Sequence, residues 1–135
     1  MKKNIFILFI LALLSGIMLN FSSCGKEKST PPDISFYVGT AYVYEDTALL
    51  HGTIFNIGVT ASKTGVDGLL TGFEISHSMN GSSDSVIQKM SFIEQYFSQY
   101  YSYAAGDSGN VERYTFTAIK ADGRTNSISV NITDL

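Results

Sequence analysis

Hydrophobic and polar residues alternate along most of this chain, and the two stretches that break the alternation mark where its organisation changes. The first break is continuous: from Ile5 to Leu19, behind Lys2 and Lys3, 15 residues pass without an acid or a base. That falls short of the roughly 20 apolar residues needed to cross a bilayer as a helix, and Ser15 and Gly16 weaken the run further. Two cations, an apolar segment and the small polar residues Ser22 and Ser23 before Cys24 predict a cleaved export signal over residues 1–23.

Period-two alternation begins after Pro32. Ile34, Phe36 and Val38 alternate with Ser35 and Tyr37, as in a half-buried strand, and a short extended piece is expected at Ala41 to Tyr44. Phe55, Ile57, Val59 and Ala61 form the clearest strand of the first half, and Ser62 to Gly68 reads as a turn-rich loop. Phe73, Ile75 and His77 share one face of the next strand, before Asn80-Gly81 supplies the two positive-φ positions of a tight hairpin. Tyr114, Phe116 and Ala118, a turn at Lys120 to Arg124, and Ile128, Val130 and Ile132 predict a closing hairpin.

The second break is ambiguous. Between Val86 and Ala104 apolar residues recur both at helical spacing and in alternation; the reading is a strand at Ser85 to Met90, a helical turn at Phe92 to Gln95 and a strand at Phe97 to Ala104. Short strands at regular spacing make the fold class all-β, an antiparallel sandwich of about seven strands over residues 33–135.

Cys24 is the sole cysteine, so no intrachain disulfide can form. Phe21-Ser22-Ser23-Cys24 resembles a bacterial lipobox, with Phe21 in place of the usual Leu and Ser23 in place of Gly or Ala. The resemblance implies lipidation of Cys24 and attachment to a membrane through several acyl chains, a stable anchor where one chain alone is marginal. Residues 24–32, polar and closing in Pro31-Pro32, then form a flexible tether. Gly25 is not the Asp of inner-membrane retention, which implies the outer membrane or the cell surface.

Without residues 1–23 the chain keeps seven Lys and Arg against 12 Asp and Glu, about −5 in net charge. A dispersed acidic surface excludes nucleic acid as a partner, because phosphate binding needs clustered cations.

Tyr114-Thr115-Phe116-Thr117-Ala118, running through Asp122-Gly123 into Ser127-Ile128-Ser129-Val130, resembles the closing hairpin of immunoglobulin-like modules. With the strand Gly52 to Ala61 it is similar to small Bacteroidetes-type lipoproteins. The chain has no Trp and no cysteine pair, so only the sandwich architecture carries over, and architecture does not name a function.

Chemistry is sparse. Gly106-Asp107-Ser108-Gly109 resembles the nucleophile segment of chymotrypsin-like proteases, but neither His51 nor His77 sits in that family's setting, and a Gly, Asp and Ser cluster between strands is ordinarily a turn. His51 and His77 with Asp46 or Asp67 lack the short ligand spacing of zinc sites. Asp107, Asn110, Glu112 and Asp122 lack the alternating oxygen series of an EF-hand. No catalytic residue, metal or cofactor is therefore assigned. Asp46-Thr47-Ala48 and Asp84-Ser85-Val86 resemble a Bacteroidetes-type O-glycosylation sequon, making Thr47 and Ser85 glycosylation candidates.

The surplus residue is tyrosine, with eight. Exposed tyrosines stack on sugars and make amphipathic contacts with proteins, and Tyr42, Tyr44, Tyr100 and Tyr103 are the candidate binding face. The expectation is a non-enzymatic, lipid-anchored envelope module that takes a glycan or a protein as ligand. The alternatives are an assembly subunit pairing through an exposed strand edge and, further off, a hydrolase using Ser108.

Overall fold

A computed structural model describes residues 29–66 and 68–135. Cys24 and the export signal lie outside the described residues, as does Asp67. The rest is all-β, with no helix among the described residues: β1 (Asp33–Phe36), β2 (Thr47–Leu49), β3 (Ile54–Ser62), β4 (Leu70–Met79), β5 (Ser85–Glu94), β6 (Tyr96–Ala104), β7 (Val111–Lys120) and β8 (Thr125–Asp134).

One sheet has the order β1-β3-β6 and the other β2-β8-β7-β4-β5. These orders are those of an immunoglobulin-like sandwich in which the first sheet keeps three strands and the strand after β4 stays on the second. All pairings are antiparallel except that of β2 with β8, so the fold has eight strands and one parallel contact. Alternation places Phe55, Ile57 and Val59 of β3 against Phe73 and Ile75 of β4 and Phe116 of β7, all buried. The hairpin at Asn80-Gly81 forms with φ of 51° and 74°, as its turn chemistry requires.

Two expected elements differ. Ala41 to Tyr44 is not a strand; the short strand of that region is β2, three residues further on. Phe92 to Gln95 is not a helical turn: β5 continues to Glu94, the chain bends at Gln95, and β6 begins at once on the other sheet. Phe92 and Phe97, on either side of the bend, stack with centroids 5.1 Å apart and planes 3° from parallel. Phe97 also lies 4.6 Å from Phe73. Burying aromatic area across the two layers favours the crossing over a local turn.

Residues 29–32, expected within the tether, lie against the loops at one end of the sandwich. Lys120, 1% exposed, donates to the carbonyls of Thr30 at 2.9 Å and Thr64 at 3.3 Å, and Pro32 is fully buried. A buried ammonium needs such acceptors, so Lys120 fastens this segment to the loop after β3.

Candidate functional site

The tyrosines are divided by the pleat. Along β6, residues 97, 99, 101 and 103 face the other sheet and residues 96, 98, 100 and 102 face out. Tyr101 and Tyr103 therefore point inward, where Tyr103 packs on Tyr114 at 4.4 Å and Phe55 at 5.9 Å. Burial pushes the Tyr103 hydroxyl up to about 12 and raises that of Tyr101 as well. Tyr103 thus belongs to the interior. Tyr100, 58% exposed, stands on the outer face.

Two more rings join Tyr100 there. The Tyr37 amide donates to the Gly58 carbonyl at 2.8 Å, and its ring covers Gly58, which stands directly opposite Tyr100 in the register of β3 and β6. A Cβ at position 58 would stand 2.1 Å from the Tyr37 ring, so only glycine leaves room. The Tyr37 hydroxyl hydrogen-bonds the Ser98 hydroxyl. Tyr42 meets Tyr37 edge-on at 5.1 Å and Tyr100 at 6.3 Å. Val43 N–H donating to Asn56 at 2.8 Å holds this loop along β3.

Tyr42 and Tyr100 of the predicted set thus meet, Tyr44 stands apart at 37% exposed, and Tyr37 completes the cluster. Sequence reasoning missed Tyr37 because alternation assigned it to the polar face of β1. The signal available was Gly58, a glycine inside a strand, which marks close approach by another group. Neutral polar groups lie on the same face as the rings: Ser35 bonded to Thr60 at 2.9 Å, Ser98, and Ser102 donating to Asn56.

A second cluster occupies the end of the sandwich opposite Lys120. Glu112 and Asp134, 6% and 2% exposed, converge on Gly106; a Cβ there would stand 2.4 Å from Glu112 Oε1 and 3.3 Å from Asp134 Oδ2. Tyr114 donates to Glu112 at 2.6 Å, and His77 Nε2 lies 3.2 Å from the same oxygen. Burial, then the Glu112 carboxylate, raises the Tyr114 hydroxyl above the ordinary phenol value.

No catalytic set assembles from the protease-like segment. His51 Nδ1 lies 2.7 Å from the Gly106 carbonyl and 3.7 Å from Asp107, and no histidine bonds Ser108 among the described residues. Asp107-Ser108-Gly109 is a turn between β6 and β7, with Gly109 at φ +90°.

Among the described residues no group of three or more His, Cys, Asp or Glu could hold a metal. Asp46 is instead engaged by the side chain and backbone of Asn131, both at 2.8 Å, which lower its carboxyl below the usual value. Asp122 sits with Lys120 and Arg124, far from Asp107, Asn110 and Glu112. Thr47 opens β2, half-buried, and Ser85 opens β5, exposed.

No protein-family model matches the chain, and no curated protein matches it. Solved structures share its general shape. The sporulation control protein Spo0M from Bacillus subtilis aligns at TM-score 0.49 and 10% identity, over 79% of this chain and 49% of that one. A CARDB domain from Pyrococcus furiosus, solved with di-metal ions, aligns at 0.45 and 10%, over 83% of this chain and 100% of the domain. A β-glucosidase from Listeria innocua, solved with glucose, aligns at 0.47 and 6%, over 76% of this chain and only 16% of the enzyme. At these identities and scores the likenesses say nothing about function.

Proposed function

We propose that this chain is a lipid-anchored, non-enzymatic binding module of the bacterial outer membrane or cell surface, held through acyl chains on Cys24, whose Tyr37, Tyr42 and Tyr100 platform takes a neutral saccharide. The observation that carries the reading is the platform: three tyrosines gathered outside the core, on a glycine cut to seat one of them, with the hydroxyls of Ser98 and Ser102 and the Asn56 amide beside them. Aromatic faces stack on the apolar C–H faces of sugar rings, and neutral hydroxyl and amide groups exchange hydrogen bonds with sugar hydroxyls without desolvating a charge.

The export signal and Phe21-Ser22-Ser23-Cys24 support the anchor, and Gly25 the outer-membrane destination. A binder is favoured over a hydrolase because no histidine bonds Ser108 among the described residues, and His51 engages the Gly106 carbonyl instead.

The test is a glycan array probed with the full chain, followed by calorimetry on any hit. Tyr100→Ala should weaken binding by roughly 10-fold or more, as loss of a stacking ring from a small site does. Tyr44→Ala should leave binding unchanged. Absence of binding to every neutral saccharide at millimolar concentration, or hits indifferent to Tyr100→Ala, would contradict the reading.

A further inference from the structure

Among the described residues the backbone of β6 is bonded on one side only. β6 pairs with β3 over nine consecutive residues, Tyr96 against Ser62 through Ala104 against Ile54, without one shift of register. Among the described residues no strand pairs with its other side. Which groups are free follows from the bonds around it. Asn56 and Gly58 direct their carbonyls away from β6, to Val43 and Tyr37, so their partners Ser102 and Tyr100 direct N–H and C=O away from β3. Ala105, of the opposite parity, donates to Thr53 at 2.9 Å and accepts from Gly52 at 2.9 Å. The even residues from 96 to 104 therefore present a straight row of free donors and acceptors.

Strand edges are ordinarily blunted by charge, proline, bulges or brevity. β6, Tyr96-Phe97-Ser98-Gln99-Tyr100-Tyr101-Ser102-Tyr103-Ala104, has no charge and no proline, and it is neither bulged nor short. Its sequence is also close to self-complementary about Tyr100: Ser98 reflects onto Ser102, and Phe97 onto Tyr103. Reversed upon itself it brings no charge opposite a like charge and sets aromatic against aromatic.

The geometry points to a second copy of this chain as the occupant, docked by antiparallel pairing of the two β6 strands about a two-fold axis at Tyr100. Residue i faces residue 200 − i of the partner copy, which joins the two three-stranded sheets into one six-stranded sheet. The free even-numbered groups then form narrow pairs, two bonds each, about ten in all. The two Tyr100 rings meet on the outer face, so both platforms become one aromatic surface. Because the strands run oppositely, the two Ser29 ends lie at opposite ends of the pair, and two anchored copies share a leaflet with their strands along the membrane. The pairing does not depend on the saccharide reading.

The experiment is light scattering with size exclusion on the full chain in detergent, from about 1 to 100 μM, the range in which a modest edge interface shows. The unaltered chain should dimerise. Tyr96 and Ala104 are both exposed and outside the tyrosine platform, and the register sets each opposite the other in the partner copy. Tyr96→Lys with Ala104→Lys places two like-charge pairs across the interface and should weaken the dimer at least about tenfold. Tyr96→Glu with Ala104→Glu should do the same, and mixing the two variants should restore a heterodimer, which misfolded chains or another register would not do. A chain monomeric throughout would overturn the inference and leave the edge to a strand from another protein. A dimer that neither variant weakens, or a mixture that restores nothing, would overturn it as well.

Discussion

The two long strands at the open side of this sandwich, β5 and β6, follow one another in sequence and are built on opposite principles. β5 is ten residues long but slips register against β4 twice, between Leu70 and Gly72 and between Ile75 and Ser76, and it carries Lys89, paired with Glu74 at 3.4 Å, and Glu94. Bulges twist the row of free backbone groups and charges resist a neighbouring strand, so β5 exposes Val86, Ile87 and Ile93 without offering a template. β6 has neither device and offers a continuous one. The other two edges, β1 and β2, are four and three residues long and protected by brevity. Among the described residues one edge in four is left unguarded, and it is the edge that carries Tyr100.

The largest effect is expected where the two strands are joined. Phe97→Ala removes the ring that stacks on Phe92 and contacts Phe73, and should cost about 2 to 4 kcal/mol in urea unfolding. A loss below about 1 kcal/mol would mean that β5 and β6 hold their places independently.

Next comes an alkaline transition concentrated in β6. Its inward Tyr101 and Tyr103, with Tyr114 of β7, have hydroxyls raised above the ordinary phenol value, chiefly by burial. The neutral phenol is favoured in the fold, so this stability is complete below about pH 10, the unfolded value, and is lost as pH rises through the folded values. Each buried tyrosine should contribute about 1 kcal/mol per pH unit to the fall. Unfolding followed by phenolate absorbance should show these three ionising together with loss of the fold; their titration in an intact sheet would contradict their placement.

The smallest effect concerns the guards on β5. Lys89→Thr with Glu94→Thr should change stability by less than about 1 kcal/mol, because Lys89 is largely exposed even though its partner Glu74 is half-buried. It should also leave self-association unchanged, since both register shifts remain. A rise in association of more than about tenfold would make charge, not the bulges, the guard.

Much of the fold was legible in alternation. Phe55 to Ala61, Phe73 to His77, Tyr114 to Ala118 and Ile128 to Ile132 lie on strands, and Asn80-Gly81 and Asp122-Gly123 lie in the connecting turns. Residues 86–104 resisted for a physical reason: each bulge in β5 shifts the period by one, which imitates helical spacing, and the bend at Gln95 moves the chain to the other sheet. The tyrosine set was half legible. Tyr100 and Tyr103, three apart, must fall on opposite faces of any strand, so their separation was readable. The meeting of Tyr37 and Tyr42 was not, because it depends on a loop folding back over Gly58. The cluster of Glu112, Asp134 and His77 depends on three strand ends meeting and left no local signal.

The measurement that bears most directly on the contrast between the edges is residue-resolved amide hydrogen exchange of the full chain at the two ends of the range in which it should dimerise, on the order of 1 μM and 100 μM. In the dilute sample Ser98, Tyr100 and Ser102 should exchange quickly while Phe97, Gln99, Tyr101 and Tyr103 are protected, and in the concentrated sample the even-numbered amides should become protected too. Exchange on β5 should not change with concentration. Protection of Ser98, Tyr100 and Ser102 at both concentrations, or a concentration response on β5 equal to that on β6, would contradict the account.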